Sequence, residues 1–168
     1  MGVNTKTVVK TALLTAAALI MFFVEARIPN PVPIQGVKLG LANIFVVYAL
    51  YAINTKSAAT LLLCKTVLGG ILAGSGIGIL YSAVGGMFCF LAMLGMKKAL
   101  DIRQLWVCSV IGAVGHNAGQ LLVAVGITQT WQVLAYAPIL AASGIITGIF
   151  TGVAAQCIHA RLVRLRQE

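Results

Sequence analysis

The side chains with the greatest chemical capacity in this sequence stand where their neighbours have least. Lys65 lies in the aliphatic run Leu61-Leu62-Leu63-Cys64-Lys65-Thr66-Val67-Leu68. An ammonium group there needs an acceptor, and it can hold an anionic group of a ligand or a structural partner such as Glu25 or a backbone carbonyl. Further along, Gly115-His116-Asn117-Ala118-Gly119-Gln120 places three hydrogen-bonding side chains in another apolar run. On a helix His116 and Gln120 share a face and Asn117 lies beside it. Such a strip serves either interhelical hydrogen bonding or the lining of a binding cavity, with Gly115 and Gly119 permitting close approach. Asn43 is a further pocket candidate, one turn inside the run that begins at Lys38-Leu39-Gly40. Lys38 itself suits an interfacial anchor.

What the chain lacks narrows the chemistry. It has no P-loop, so no nucleotide is hydrolysed through one. Its only acids are Glu25, Asp101 and Glu168, so no carboxylate pair can hold magnesium and a diphosphate. The two histidines, His116 and His159, make a zinc site unexpected. Cys64, Cys89, Cys108 and Cys157 fall singly in apolar runs and read as core residues. No catalytic residue, cofactor or metal is expected, and the protein is not expected to be an enzyme.

The elements that carry these residues follow from composition. Of 168 residues 60% are hydrophobic and 9% charged, whereas a soluble domain needs about 25% charged residues to face water. The medium is therefore lipid. Long aliphatic runs exclude an alternating outer-membrane strand pattern. The expected fold is all-α: a six-transmembrane-helix bundle forming one domain over residues 1–168. Its spans fall near 8–24, 39–53, 57–72, 77–96, 102–127 and 135–158. Residues 25–27 make a poor cleavage site, so the first span is expected to stay as a helix.

Six spans sort the cations by side. Lys6, Lys10, Lys56, Lys97, Lys98, Arg103, Arg161, Arg164 and Arg166 share one side, and Arg27 and Lys38 the other. The positive-inside rule then puts both termini in the cytoplasm, with the protein in the cell membrane. The same scatter between apolar segments argues against nucleic-acid binding. Trp131 and Tyr136 fit an outer aromatic belt and Trp106 an inner one. The first long outer loop, residues 25–40, contains Pro29, Pro31 and Pro33, and reads as a stiff connector or as a lid over an outward-facing cavity. Gly144, Gly148 and Gly152 on the sixth span, and Ala12 and Ala16 on the first, form small-residue rows that allow close helix packing. The row on the first span serves internal packing or docking of another membrane subunit.

These features resemble a known group. Six spans, Ala12-x-x-x-Ala16 and the proline-rich loop are similar to substrate-binding (S) components of energy-coupling-factor transporters. Pro33-Ile34-Gln35-Gly36-Val37-Lys38-Leu39-Gly40-Leu41-Ala42-Asn43, the His116–Gln120 string, and Tyr136-Ala137-Pro138 followed by Gly144 and Gly148 resemble the Gx transporter family, also called heptaprenyl diphosphate synthase component I. The resemblance implies a bundle that captures a small molecule from outside. A membrane coupling subunit, facing Ala12 and Ala16, and two cytoplasmic ATPase subunits would then supply the energy.

The leading expectation is thus a binding subunit for uptake of a small vitamin-like or anionic molecule. Its candidate ligand contacts are Lys65, Asn43, His116, Asn117 and Gln120, with Lys38 and Tyr136 added. The alternatives are an accessory membrane subunit of polyprenyl (heptaprenyl) diphosphate synthesis and a self-sufficient facilitator.

Overall fold

The computed structural model describes residues 4–28, 40–74 and 76–164. Every regular element among them is helical. Helix α1 spans Thr5–Glu25 and starts at Asn4, whose side chain accepts from the Lys6 amide at 3.1 Å. A 3-10 turn at Leu41–Asn43 leads into α2, Ile44–Ala52. Helix α3, Thr55–Leu72, begins at Asn54, whose side chain accepts from Ser57 N at 2.7 Å. Each asparagine satisfies an amide that the first helical turn would leave without a partner. Helix α4 covers Gly76–Met96, α5 Leu105–Thr128 and α6 Ala137–Arg164. Ahead of α5, Asp101 and Gln104 form a reciprocal capping box around a 3-10 turn. Pro138 sits in the first turn of α6, where its missing N–H costs nothing.

Five of these helices are long and apolar enough to cross a bilayer. The chain is a multi-pass membrane protein, as its composition requires. The second expected span differs from the rest. Where a span over 39–53 is expected, the described helical segment runs Leu41–Ala52, a 3-10 turn followed by the nine residues of α2. Its described start is fixed by Gly40, which has a φ of 82°, a left-handed conformation that glycine adopts without a Cβ penalty.

The helices pack side by side in the order α1, α3, α4, α5, α6, and α2 bridges α6 to α3 and α1. Polarity is inverted relative to a soluble protein. Leu13, Ile20, Ile146 and Phe150 are each at least 66% exposed. Glu25, Lys65, His116, Asn117 and Gln120 are all buried. This distribution suits an apolar solvent outside and a polar requirement inside.

Two apolar clusters fill the interior. One, around Leu50, Leu61, Met93, Leu105 and Cys108, lies toward the Asn54 end. The other, around Tyr81, Leu121, Ala124 and Leu140, lies toward the opposite end. Along α5 the polar residues fall between them.

The α5–α6 seam follows the glycine row. Gly148 and Gly152 meet the backbone of Val110 and Trp106, closely enough that an added Cβ would lie 2.5 and 2.3 Å from their Cα atoms. Across this seam Ser109 and Thr151 share a hydrogen bond of 2.8 Å. The other expected row behaves differently: Ala12 and Ala16 are exposed on the outer face of α1.

Candidate functional site: a polar layer at the break before α2

The site is built on the hairpin of α2 and α3. Asn43 and Lys65 lie equally far along the chain on either side of the turn at Asn54, so an antiparallel pairing brings them to one level. That level is roughly 16 Å from the turn. The Lys65 ammonium donates to Asn43 Oδ1 at 2.6 Å, with both residues buried. Asn43 Nδ2 is buried and has no hydrogen-bond partner among the described residues, leaving a donor beside a cation.

Glu25 supports this turn from α1. Its carboxylate accepts from the backbone N–H of Gly40, and its second oxygen lies 3.5 Å from Ala42 N. These amides precede α2 and would otherwise point into an apolar interior, so a carboxylate there acts as a helix-terminus cap from a distant helix. Replacing Glu25 with leucine is expected to destabilise the protein by about 1–2 kcal/mol, and Glu25→Gln, which keeps an acceptor, by less than half of that. Thermal unfolding in detergent measures both variants.

His116 completes the layer from α5. A Cβ built on Gly40 would lie 3.1 Å from Asn43 Nδ2 and 3.2 Å from His116 Cδ2. One on Gly85 of α4 would lie 2.9 Å from His116 Cε1 and 3.0 Å from Gln120 Cγ. The imidazole therefore occupies the space between two glycines, with Gln120 next to it. Gly119 lets this happen, because a Cβ there would stand 2.9 Å from Gly85 Cα. Bringing α4 and α5 together requires small residues on both helices.

Of the expected site residues, Lys65, Asn43 and His116 thus gather around the Gly40–Asn43 turn, and Gln120 lies beside His116 at Gly85. Asn117 does not join them. Its Nδ2 donates to the Leu140 carbonyl of α6 at 2.6 Å, against Gly144. Adjacent helical residues point about 100° apart, so His116 and Asn117 serve different seams. Tyr136 closes the 3-10 turn Trp131–Tyr136 and packs on the second apolar cluster. Lys38 lies outside the described residues, as does most of the proline-rich loop. Sequence alone does not single out Gly85, nor Glu25 as the acceptor for the turn before α2. The one signal for Glu25 was an acid closing an otherwise apolar run.

A cation, an amide donor with no partner among the described residues and an imidazole, brought together around one turn, form a surface suited to oxygen acceptors, most of all anionic ones. Among the described residues no group of three or more His, Cys, Asp or Glu side chains is placed to hold a metal. A family model, heptaprenyl diphosphate synthase component I, matches residues 14–158. The chain belongs to this family. No curated protein and no solved structure matches it. Within the heptaprenyl diphosphate synthase component I match fall Glu25, Asn43, Lys65, Gly85, His116 and Gln120, the whole polar layer.

Proposed function

We propose that this protein is the membrane-embedded substrate-binding component of an energy-coupling-factor-type transporter. It captures a small, anionic or vitamin-like molecule from outside the cell and is not itself an enzyme. The observation that supports this reading best is the polar layer itself. Lys65, Asn43 and His116 converge where α2, half the length of its neighbours, begins, and they do so inside an apolar bundle. Asn43 Nδ2, buried beside the Lys65 cation and with no partner among the described residues, is the donor a ligand's oxygen would satisfy.

In this reading Lys65 and Asn43 Nδ2 hold an anionic group of the molecule, while His116 and Gln120 orient the remainder. Glu25 keeps the turn in place. Both termini and the basic loops face the cytoplasm. The exposed Ala12 and Ala16 of α1 meet the membrane coupling subunit, and two cytoplasmic ATPases drive the cycle.

Purified wild-type protein is expected to retain a small molecule in native mass spectrometry. Lys65→Ala, still folded, should bind that molecule about a hundredfold more weakly, the worth of a buried charge-assisted hydrogen bond. A folded Lys65→Ala protein that binds as tightly as wild type would overturn the assignment.

The family's description supports a second reading, an accessory membrane subunit of polyprenyl diphosphate synthesis. Co-purification distinguishes the two. Recovery of ATPase and coupling subunits supports uptake, and recovery of a soluble prenyl synthase supports the accessory role.

A further inference from the structure

The outer face of α6 carries a feature that the polar layer does not use. A groove of about 470 Å³ is lined by Ile146, Ile149, Phe150, Val153 and Ala154. The seam glycines Gly144, Gly148 and Gly152 face α5, so the groove opens on the opposite side of the helix, away from the bundle. An apolar outer face is what any lipid-facing helix presents. Here charge and register add to it. Arg161 stands about three turns after Phe150, and Arg164 about three turns after Val153, which returns both to the groove's face within about 20°.

Both arginines are exposed. Between them and the groove the same face holds Cys157 and Ala160, short side chains that are also exposed. About 16 Å of helix separates Phe150 from Arg161, half of the hydrocarbon thickness of roughly 30 Å. A cationic pair at one end and an apolar groove beginning about two turns away on the same face match a molecule with an anionic head and a long chain. The surroundings favour the anion too. Lys56, Lys98 and Arg103 are exposed at this end, and Asp101 is the only acid there among the described residues.

We propose that this face of α6 binds one anionic glycerophospholipid from the leaflet at the basic end. Arg161 and Arg164 hold its phosphate, and one acyl chain lies along Ile146, Phe150 and Val153. Guanidinium groups pair with phosphate through parallel hydrogen bonds. The net negative charge of the headgroup separates this lipid from a zwitterionic one with the same chains. The site is independent of whether the polar layer serves uptake or an accessory role.

Native mass spectrometry of the full chain, titrated with phosphatidylglycerol or phosphatidylcholine of matched chains, tests it. Wild type should retain phosphatidylglycerol about tenfold better. The Arg161→Gln/Arg164→Gln protein should retain both lipids equally. Val153→Trp should weaken both, and the exposed pair Lys56→Gln/Lys98→Gln should keep the preference. Equal retention by wild type, or a preference lost as fully in the lysine variant, would overturn the proposal. So would a dimer that Val153→Trp dissociates, which would give this face to a second copy of the chain.

Discussion

Gly152→Ala is expected to be the most damaging single-methyl change in the protein, costing about 3 kcal/mol. The new Cβ would lie 2.3 Å from Trp106 Cα and 2.9 Å from Ser109 Cβ. Its obstruction is backbone, which cannot rotate away as a side-chain end can. Helices α5 and α6 must therefore separate, and the packing that stabilises helix pairs in lipid is lost along the seam. The Ser109–Thr151 hydrogen bond, one turn from the contact, should break with it. Gly148→Ala should behave alike, since its Cβ would stand 2.5 Å from Val110 Cα and 3.0 Å from Val110 N.

Gly95 and Gly126 supply the control, because a Cβ at either meets nothing within 4 Å. Alanine there should gain up to about 1 kcal/mol from helix propensity. Thermal unfolding in one detergent compares all four variants. A Gly152→Ala protein as stable as Gly126→Ala would mean that α5 and α6 do not pack along this row.

Asn43→Leu should cost about 2–3 kcal/mol, whereas Lys65→Met should cost little or stabilise. The asymmetry comes from what each change leaves behind. Without Asn43, the buried ammonium loses its 2.6 Å acceptor, and a cation in hydrocarbon is worse off than a missing contact. Without Lys65, the Asn43 amide oxygen loses its 2.6 Å donor, and the cost of burying a charge is removed as well. The Asn43→Leu/Lys65→Met protein should therefore regain most of the stability that Asn43→Leu loses. A double-mutant cycle reads this coupling directly. Independent, additive costs would show that the pair does not stabilise the α2–α3 hairpin.

Much of this protein was legible in its residues. Composition placed it in lipid, and unbroken apolar runs between polar turns located five full-length spans. Lys65, His116, Asn117 and Gln120 were identified as interior because hydrocarbon leaves polar side chains few other places to go. The glycine row on the sixth span was read as a packing face, and it became the α5–α6 seam. These inferences rest on sums and periods along the chain, which lipid makes unusually informative.

What the tertiary structure decided are the points where one segment's outcome is set by another. Hydropathy does not reveal that α2 starts only after a left-handed glycine and a 3-10 turn, because apolarity over residues 39–53 is compatible with a helix begun earlier. The break is made at Gly40 and capped by Glu25 from α1, an acceptor supplied from fifteen positions away in sequence. Nor does i, i+1 spacing say which neighbour each side chain will meet. His116 turns to Gly40 and Gly85, while Asn117 turns to Leu140. Local sequence sets how much polar and apolar surface each helix has to place. The partners are chosen only when distant helices pack, since each buried donor or acceptor is satisfied by whatever group the fold brings within about 3 Å.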